Sequence, residues 1–309
     1  MKRPYYSFSE YMRNRFQARV QRISVNAGFS CPNRDGTLGE DGCFFCNEKG
    51  FSRFVETPLS LKEQIEASRE FYRERFHADK FIVYFQNAAN TNAGLEQLRS
   101  AYDVIRDFPD VVGLFISTRP DCVDDEKLDL IAAYAREYEV WLEYGLQSIH
   151  EKTLQAINRR HSLAHFLRAV EDTAKRGIKS SAHVILGLPG ETREDMIETA
   201  KTLAELPVSG VKLHVFHVLR ETRFHEMYKA GGVRVPTQEE YVQLACDFLE
   251  HLPPDCVIMR LISNASEDVL VGPEWINQKQ KVLSAIDAEF KRRGTEQGTR
   301  IAVSRQSKE

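Results

Sequence analysis

The 309-residue chain holds no run approaching the ~18 consecutive apolar residues of a membrane-spanning helix, so no span is expected. Its positively charged opening, Met-Lys-Arg-Pro-Tyr-Tyr-Ser, leads into FSEYMRNRF and not into an apolar core. No secretory leader is therefore expected, and the cytoplasm is the expected location. A basic excess is also lacking: 42 Lys and Arg against 45 Asp and Glu leave a net charge of −3. A polyanionic partner would have to meet a local basic patch, with Arg159 and Arg160 in INRRH or the late FKRRG as candidates. No Gly/Ser linker, internal repeat or low-complexity tract breaks the chain, and GLPG at 187–190 is neither a Walker A loop nor a dinucleotide fingerprint. What is present is an ordinary globular composition, 42% apolar and 28% charged, of a length that one α/β barrel fills.

Apolar, β-rich runs alternate with amphipathic helical patterns, the signature of a parallel sheet built from βα units. Strands are predicted over 18–25, 80–86, 111–118, 140–146, 179–187 and 210–218. Between them, SLKEQIEASREFYRERF, AGLEQLRSAYDVIRDF, DDEKLDLIAAYAREY and TREDMIETAKTLAEL repeat apolar residues every three or four positions. Thr192 with Asp195 makes a capping-box helix start. The expected architecture is a six-stranded open α/β barrel. Its chemistry should lie where the strands end at their C-termini, in the cysteine loop, QNAANTN, STRPD, LQS, LPGET and HVLRET. After residue 235 come a helix (237–251), the strand-like CVIMRLI, an irregular stretch at GPEW and the helix QKQKVLSAIDAEFKRRG. The expected division is a barrel over 1–235, an extension packed on it over 236–298, and a polar tail over 299–309.

Six cysteines in a reducing compartment point to thiol or metal chemistry more than to disulfides. Cys122, Cys246 and Cys256 are scattered, and the simplest role for each is that of a small buried residue. Cys31, Cys43 and Cys46 are different, because CPNRDGTLGEDGCFFC gathers them in one loop after the first strand. Structural zinc wants four ligands, usually as two close pairs, and a compact fourth ligand is missing here. A thioredoxin-like dithiol would leave Cys31 unemployed, and the CxxC lies in a loop instead of opening a helix. A cubane iron–sulfur cluster with three protein thiolates keeps one iron open for a chelating cosubstrate such as S-adenosylmethionine. Spacing and position favour the cluster over zinc, and a zinc-stabilised binding module is the rival reading from another class.

The stretches GFSCPNRDGTLGEDGCFFC, STRPDCV, LEYGLQSIHEKTLQAINRRHS, SAHVILGLPGET and GVKLHVFHVL together resemble the YhcC/YtqA family of radical SAM proteins, on the Elongator-catalytic-subunit-like branch. The resemblance runs from about residue 5 to about 298. It implies a [4Fe–4S] cluster on Cys31, Cys43 and Cys46 in a partial (β/α)6 TIM-type barrel with a C-terminal helical extension. It further implies cleavage of S-adenosylmethionine to a 5′-deoxyadenosyl radical, with a one-electron reductant such as flavodoxin or ferredoxin. Carried over by position, Phe45 lies near the adenine. Gln86 and Asn87 replace the Gly-Gly-Glu stretch that usually meets the cofactor's amino group, and Ser117 stands where related enzymes often hold a glutamate. Gln147, Arg159 and His183 match positions that contact the ribose or carboxylate. Arg159 can grip a carboxylate bidentately, while Gln147 and His183 can bond hydroxyls.

Plain structural roles stand beside these. Arg159 can cap the helix ending at QAIN, His183 can be a satisfied core histidine, and Gly187, Pro189 and Gly190 serve a strand-to-helix turn. His214 and His217, three apart on one predicted strand, would face opposite sides. Members of the family are linked to modification of the tRNA wobble uridine, remodelling carboxymethylaminomethyl at C5 to aminomethyl. For tRNA as partner a rim of Arg119, Arg159, Arg160, Arg220 and Arg260 is expected at the barrel mouth. A radical SAM enzyme with a non-tRNA substrate is the alternative.

Overall fold

The protein, described over residues 3–47 and 58–301 in a computed structural model, is a curled parallel sheet with helices on its outer face. Residues 302–309, most of the expected tail, lie outside the described residues. The six predicted strands appear as β1 (Val20–Val25), β2 (Lys80–Phe85), β3 (Val111–Thr118), β4 (Glu139–Gln147), β5 (Lys179–Leu186) and β6 (Gly210–Val215). They pair in sequence order, all parallel, and β8 (Val257–Arg260) adds a seventh strand beside β6. The predicted strand over 210–218 is in fact two. β6 stops at Val215, and β7 (Val218–Leu219) turns away to pair antiparallel with β9 (Leu270–Gly272). His217 lies in the break, its Nδ1 2.8 Å from the Val215 carbonyl, so it shares no strand with His214.

The crossovers are α2 (Leu61–Phe76), α3 (Leu95–Asp103), α4 (Asp125–Tyr134), the pair α5 (Glu151–Ala156) and α6 (Leu163–Lys175), and α7 (Arg193–Glu205). Their starts follow from local chemistry. Ser60 with Glu63 and Thr192 with Asp195 form reciprocal capping boxes that satisfy orphan N–H groups at the N-termini of α2 and α7. Beyond α8 (Arg223–Lys229), helices α9 (Gln238–Glu250) and α10 (Lys279–Arg293) pack on one another and close the outer layer.

Two apolar layers follow from the alternation of side chains along each strand. Outward residues such as Val83, Leu114, Leu142 and Leu213 are fully buried under the helices, each contributing about 1.5–3 kcal/mol. Inward residues Ile82, Tyr84, Phe115, Trp141 and Val257 fill the lower lumen. There they meet Met12, flanked by Phe8, Tyr11 and Phe16, from α1 (Phe8–Phe16). That helix stops the lower end, anchored by Glu139, which accepts from Tyr11, Arg15, Trp141 and Lys179. Just before α1, the Tyr6 carbonyl accepts from the Ile258 N–H and Ser7 bridges to Ile258 in parallel, filling part of the seam between β8 and β1.

Candidate active site

Backbone irregularity concentrates at the C-terminal ends of the strands. β4 carries a bulge between Tyr144 and Gln147, and Gln147 sits at φ +74°. Asn87, Ala88, Asn158 and Arg160 also have positive φ, in the loops after β2 and α5. Such conformations are costly for side-chain-bearing residues and cluster where geometry serves function. The loop after β2 is held by the Asn90 amide, which donates to the carbonyls of Phe85, Asn87 and Ser117.

The cysteine loop emerges from β1 and is stapled to the loop after α5. Phe44 N–H donates to the Ile157 carbonyl at 3.1 Å, and Asn158 Nδ2 to the Gly42 carbonyl at 2.7 Å. Asn33 Nδ2 reaches the Asn158 carbonyl at 2.7 Å and the Cys43 sulfur at 3.5 Å. Arg34 donates to the Cys46 carbonyl at 2.7 Å. Gly42 is required here, since at φ +71° a Cβ would also stand 2.7 Å from Arg34 Nε. All six cysteines are free thiols, and Cys122, Cys246 and Cys256 are buried as expected. Burial, then the neighbouring Cys43, pushes the Cys46 thiol up to about 11. Among the described residues, the trio of His, Cys, Asp or Glu ligand atoms gathered within 4.8 Å is His150, Asp195 and Glu198.

Two buried guanidiniums flank the thiols. Arg159 sends Nε and Nη2 to the Gly145 carbonyl, at 3.2 and 2.7 Å, and Nη1 to the Cys43 sulfur at 3.5 Å. It is therefore not a helix cap. Gly145 makes room for it, because a Cβ would stand 2.5 Å from Arg159 Nη2 and 3.0 Å from Gln147 Nε2. Arg119 is 2% exposed, which removes it from the expected tRNA rim. It forms a bidentate pair with Asp121, at 2.9 and 2.7 Å, while its Nη1 is buried without a partner. His161 Nε2 lies 3.0 Å from the same Gly145 carbonyl, and burial with Arg159 and Arg119 nearby lowers it to about 3, so it stays neutral.

A second polar layer crosses the lumen below. Glu143 is fully buried and receives Lys212 Nζ, Tyr84 OH and His183 Nε2, each at 2.8 Å, with Arg22 at 3.3 Å. Burial alone would raise its carboxyl, but Lys212 and Arg22 hold it well below the usual carboxylate range. Burial lowers Lys212 to about 7 and, with Lys212 beside it, His183 to about 4. His183, Lys212 and Arg260 stand in one register row across β5, β6 and β8. His183 is thus satisfied within the protein by Glu143 and keeps part of its surface open to water.

The other expected site residues fall around these two layers. Phe45 joins Phe44 against Phe216 and Phe224. Gln86 accepts from Ser24 at 3.1 Å, and Ser117 faces Glu143 in register. Of the remaining rim arginines, Arg160 and Arg220 are exposed, whereas Arg159 is buried against Cys43 and Arg260 turns into the lumen. Sequence reasoning missed Glu143, Lys212, Arg22, Asp121 and His161. The signal lay in EVWLEYGLQ, a central strand whose period-2 positions carry Glu, Trp, Glu and Gly instead of apolar residues.

Two family models match the chain: the Radical SAM superfamily over residues 30–203 and the Radical_SAM C-terminal domain over 208–292. The uncharacterized protein YtqA of Bacillus subtilis is 37% identical over 295 residues, which cover 95% of this chain and 92% of that protein. Protein YhcC of Escherichia coli is 34% identical, with 94% of this chain and 93% of its own covered. The chain belongs to the YhcC/YtqA family of radical SAM enzymes.

Two solved structures show the same fold. An archaeal Elp3 from Methanocaldococcus infernus superposes with a TM-score of 0.66 at 18% identity, covering 90% of this chain and 64% of that one. Methylornithine synthase superposes at 0.54 with 10% identity, covering 94% and 86%. Elongator complex protein 3 of Saccharomyces cerevisiae is 27% identical over 188 residues, 60% of this chain and 33% of its own length.

Radical SAM enzymes work with a [4Fe–4S] cluster and S-adenosylmethionine, and the cysteine loop fits such a group. Its three cysteines are free thiols gathered in one loop, the donor set of a cluster with three protein thiolates. A cubane on three thiolates is anionic, and Arg159 lies against Cys43 while the charge of Arg119 reaches Cys31 and Cys43.

Proposed function

We propose that this radical SAM enzyme holds a [4Fe–4S] cluster on Cys31, Cys43 and Cys46 and acts on the wobble uridine of tRNA, remodelling carboxymethylaminomethyl at C5 to aminomethyl. The carrying observation is the loop that presents three free thiols beside two buried guanidiniums. When bound, the cluster and S-adenosylmethionine together supply a carbon radical able to abstract hydrogen. The chain's part is to bind, orient and shield.

Arg159 has one guanidinium edge committed to Gly145 and turns Nη1 toward the thiols, where a cosubstrate carboxylate can share it. Gln147, lifted by the β4 bulge, takes the ribose side, and Phe45 the adenine. Gln86 and Ser117 offer neutral polar groups where a glutamate would meet the amino group. His183, kept neutral and tied to Glu143, offers its remaining ring nitrogen toward the reacting end. The link of this family to wobble-uridine modification makes tRNA the substrate class of this reading, and a one-electron reductant is the required partner.

The test is anaerobic reconstitution, reduction, and incubation with S-adenosylmethionine and tRNA carrying the carboxymethylaminomethyl group, followed by nucleoside analysis. Release of 5′-deoxyadenosine with appearance of the aminomethyl nucleoside supports the reading. Release without a change in tRNA moves the substrate elsewhere, and a colourless protein holding one zinc overturns the chemistry.

A further inference from the structure

Charge in the lumen does not balance. Arg22, Lys212 and Arg260 face a single carboxylate, Glu143, and the two histidines beside them, His183 and His214, are held neutral by burial and by those cations. Lys212, Tyr84 and His183 all converge on Glu143 Oε2, and Arg22 Nη1 lies 3.3 Å from Oε1, which accepts no hydrogen bond. Arg22 Nη2 is buried without a partner. Arg260, among the described residues, has neither a hydrogen bond nor an ion pair, and crowding by burial and by Arg22 lowers its affinity for the proton. Its neighbour in register, Lys212, is engaged, so Arg260 presents the one guanidinium fork in this layer with every donor free.

The same layer keeps contact with water. Along β3, β5 and β6 the outward residues Ile116, Val184 and Leu213 are buried, whereas the inward Ser117, His183 and His214 each keep surface that water can reach, as do Arg22, Gln86 and Arg260. A water-accessible layer lined by surplus cations and neutral hydrogen-bonding groups is complementary to an anion, since an uncompensated buried guanidinium is costly until it is paired.

We propose that the lumen layer around Glu143 is a carboxylate-binding subsite for the substrate, with Arg260 as its principal ligand and Lys212 and Arg22 supplying the field. This deepens the function proposed above and rests on it only for the identity of the substrate, whose carboxymethylaminomethyl arm ends in such a group. The planar fork of Arg260 matches a carboxylate in two parallel hydrogen bonds, and holding that end fixes the arm's C–H groups relative to the mouth.

The anion site is tested on the reconstituted holoenzyme without tRNA. Methylglyoxal, a small arginine-selective reagent, is applied in acetate, in chloride and in inorganic phosphate at equal ionic strength, and modified peptides are mapped by mass spectrometry. Acetate is expected to slow modification of Arg260 by about fivefold or more relative to chloride, leaving exposed Arg75 unchanged. Equal rates in acetate and chloride overturn the proposal, as does protection by phosphate alone. No reaction of Arg260 in chloride also overturns it, because a group closed to that reagent is closed to a substrate.

A second arm uses Arg260→Gln and Arg260→Lys with circular dichroism to confirm folding. The glutamine variant is expected to raise the KM for tRNA about 10- to 100-fold with a much smaller change in kcat, and lysine to restore part of it. Acetate protection with no conversion of tRNA leaves the subsite standing and sinks the substrate reading. Conversion of tRNA with no protection and an unaffected glutamine variant does the reverse.

Discussion

Arg159 Nη1 lies 3.5 Å from the Cys43 sulfur, joining the loop after α5 to the loop after β1 through a buried charge. The pairing makes a sharp expectation for Arg159→Gln. The variant should still assemble its cluster, because all three thiols remain, but the lost positive charge should lower the reduction potential and weaken S-adenosylmethionine binding by about 10-fold or more. Potentiometric titration followed by electron paramagnetic resonance, with equilibrium dialysis of the cosubstrate, reads both. An unchanged potential would deny the electrostatic coupling.

The six cysteines should separate into two sets. Alanine at position 31, 43 or 46 is expected to abolish the brown chromophore and the ~4 irons per chain that a cubane brings. Alanine at 122, 246 or 256 should retain both, with a modest stability loss of about 1 kcal/mol from the small void. Iron and sulfide assays after anaerobic reconstitution decide the matter.

Gly145→Ala tests the close approach beneath Arg159. With a Cβ 2.5 Å from Arg159 Nη2, the guanidinium must move or the strand must shift. A destabilisation of about 1–3 kcal/mol is expected, together with weaker cosubstrate binding. Denaturant unfolding and dialysis on one preparation measure the two effects, and a variant indistinguishable from the parent in both would refute the crowding.

Glu143→Gln leaves Lys212 and Arg22 without their carboxylate in a buried layer. Unfolding free energy is expected to drop by about 3–5 kcal/mol, the usual cost of breaking a buried ion pair by removing one partner. Replacing exposed Glu137, which pairs with Arg106 at the surface, should cost no more than about 1 kcal/mol and serves as the control.

Acid should destabilise the fold before the carboxylates titrate. His183 and His161 are lowered to about 4 and about 3, so folding favours their neutral forms. Their contribution is complete above the unfolded value of about 6.5 and is lost as pH falls from there toward the folded values. Below about 4.3 the loss of the depressed Glu143 adds to it. Denaturation midpoints across this range should fall steadily, and the slope between pH ~6.5 and 4 should flatten in His183→Gln.

The strand order was readable because βα alternation leaves few topologies, and the loop of Cys31, Cys43 and Cys46 was readable because three thiols twelve and three positions apart need no fold to be noticed. What the sequence hid were pairings across the lumen. Glu143 meets Lys212, 69 positions later, and Tyr84, 59 positions earlier, through a register that bulges in β2, β3 and β4 make hard to infer. Arg119 looked like a surface cation because its burial depends on Asp121 two residues on, and a local Arg-x-Asp reads equally well as an exposed pair. His217 was misplaced because nothing in GVKLHVFHVL marks the break after Val215; that break is set by β7 pairing with β9, some fifty residues away.

The helix that corks the lower end of the barrel has a bearing on traffic. With Phe8, Tyr11, Met12 and Phe16 wedged among the inward side chains, a through-channel is closed to any guest. Guests of the lumen must therefore come and go by a route other than the corked end.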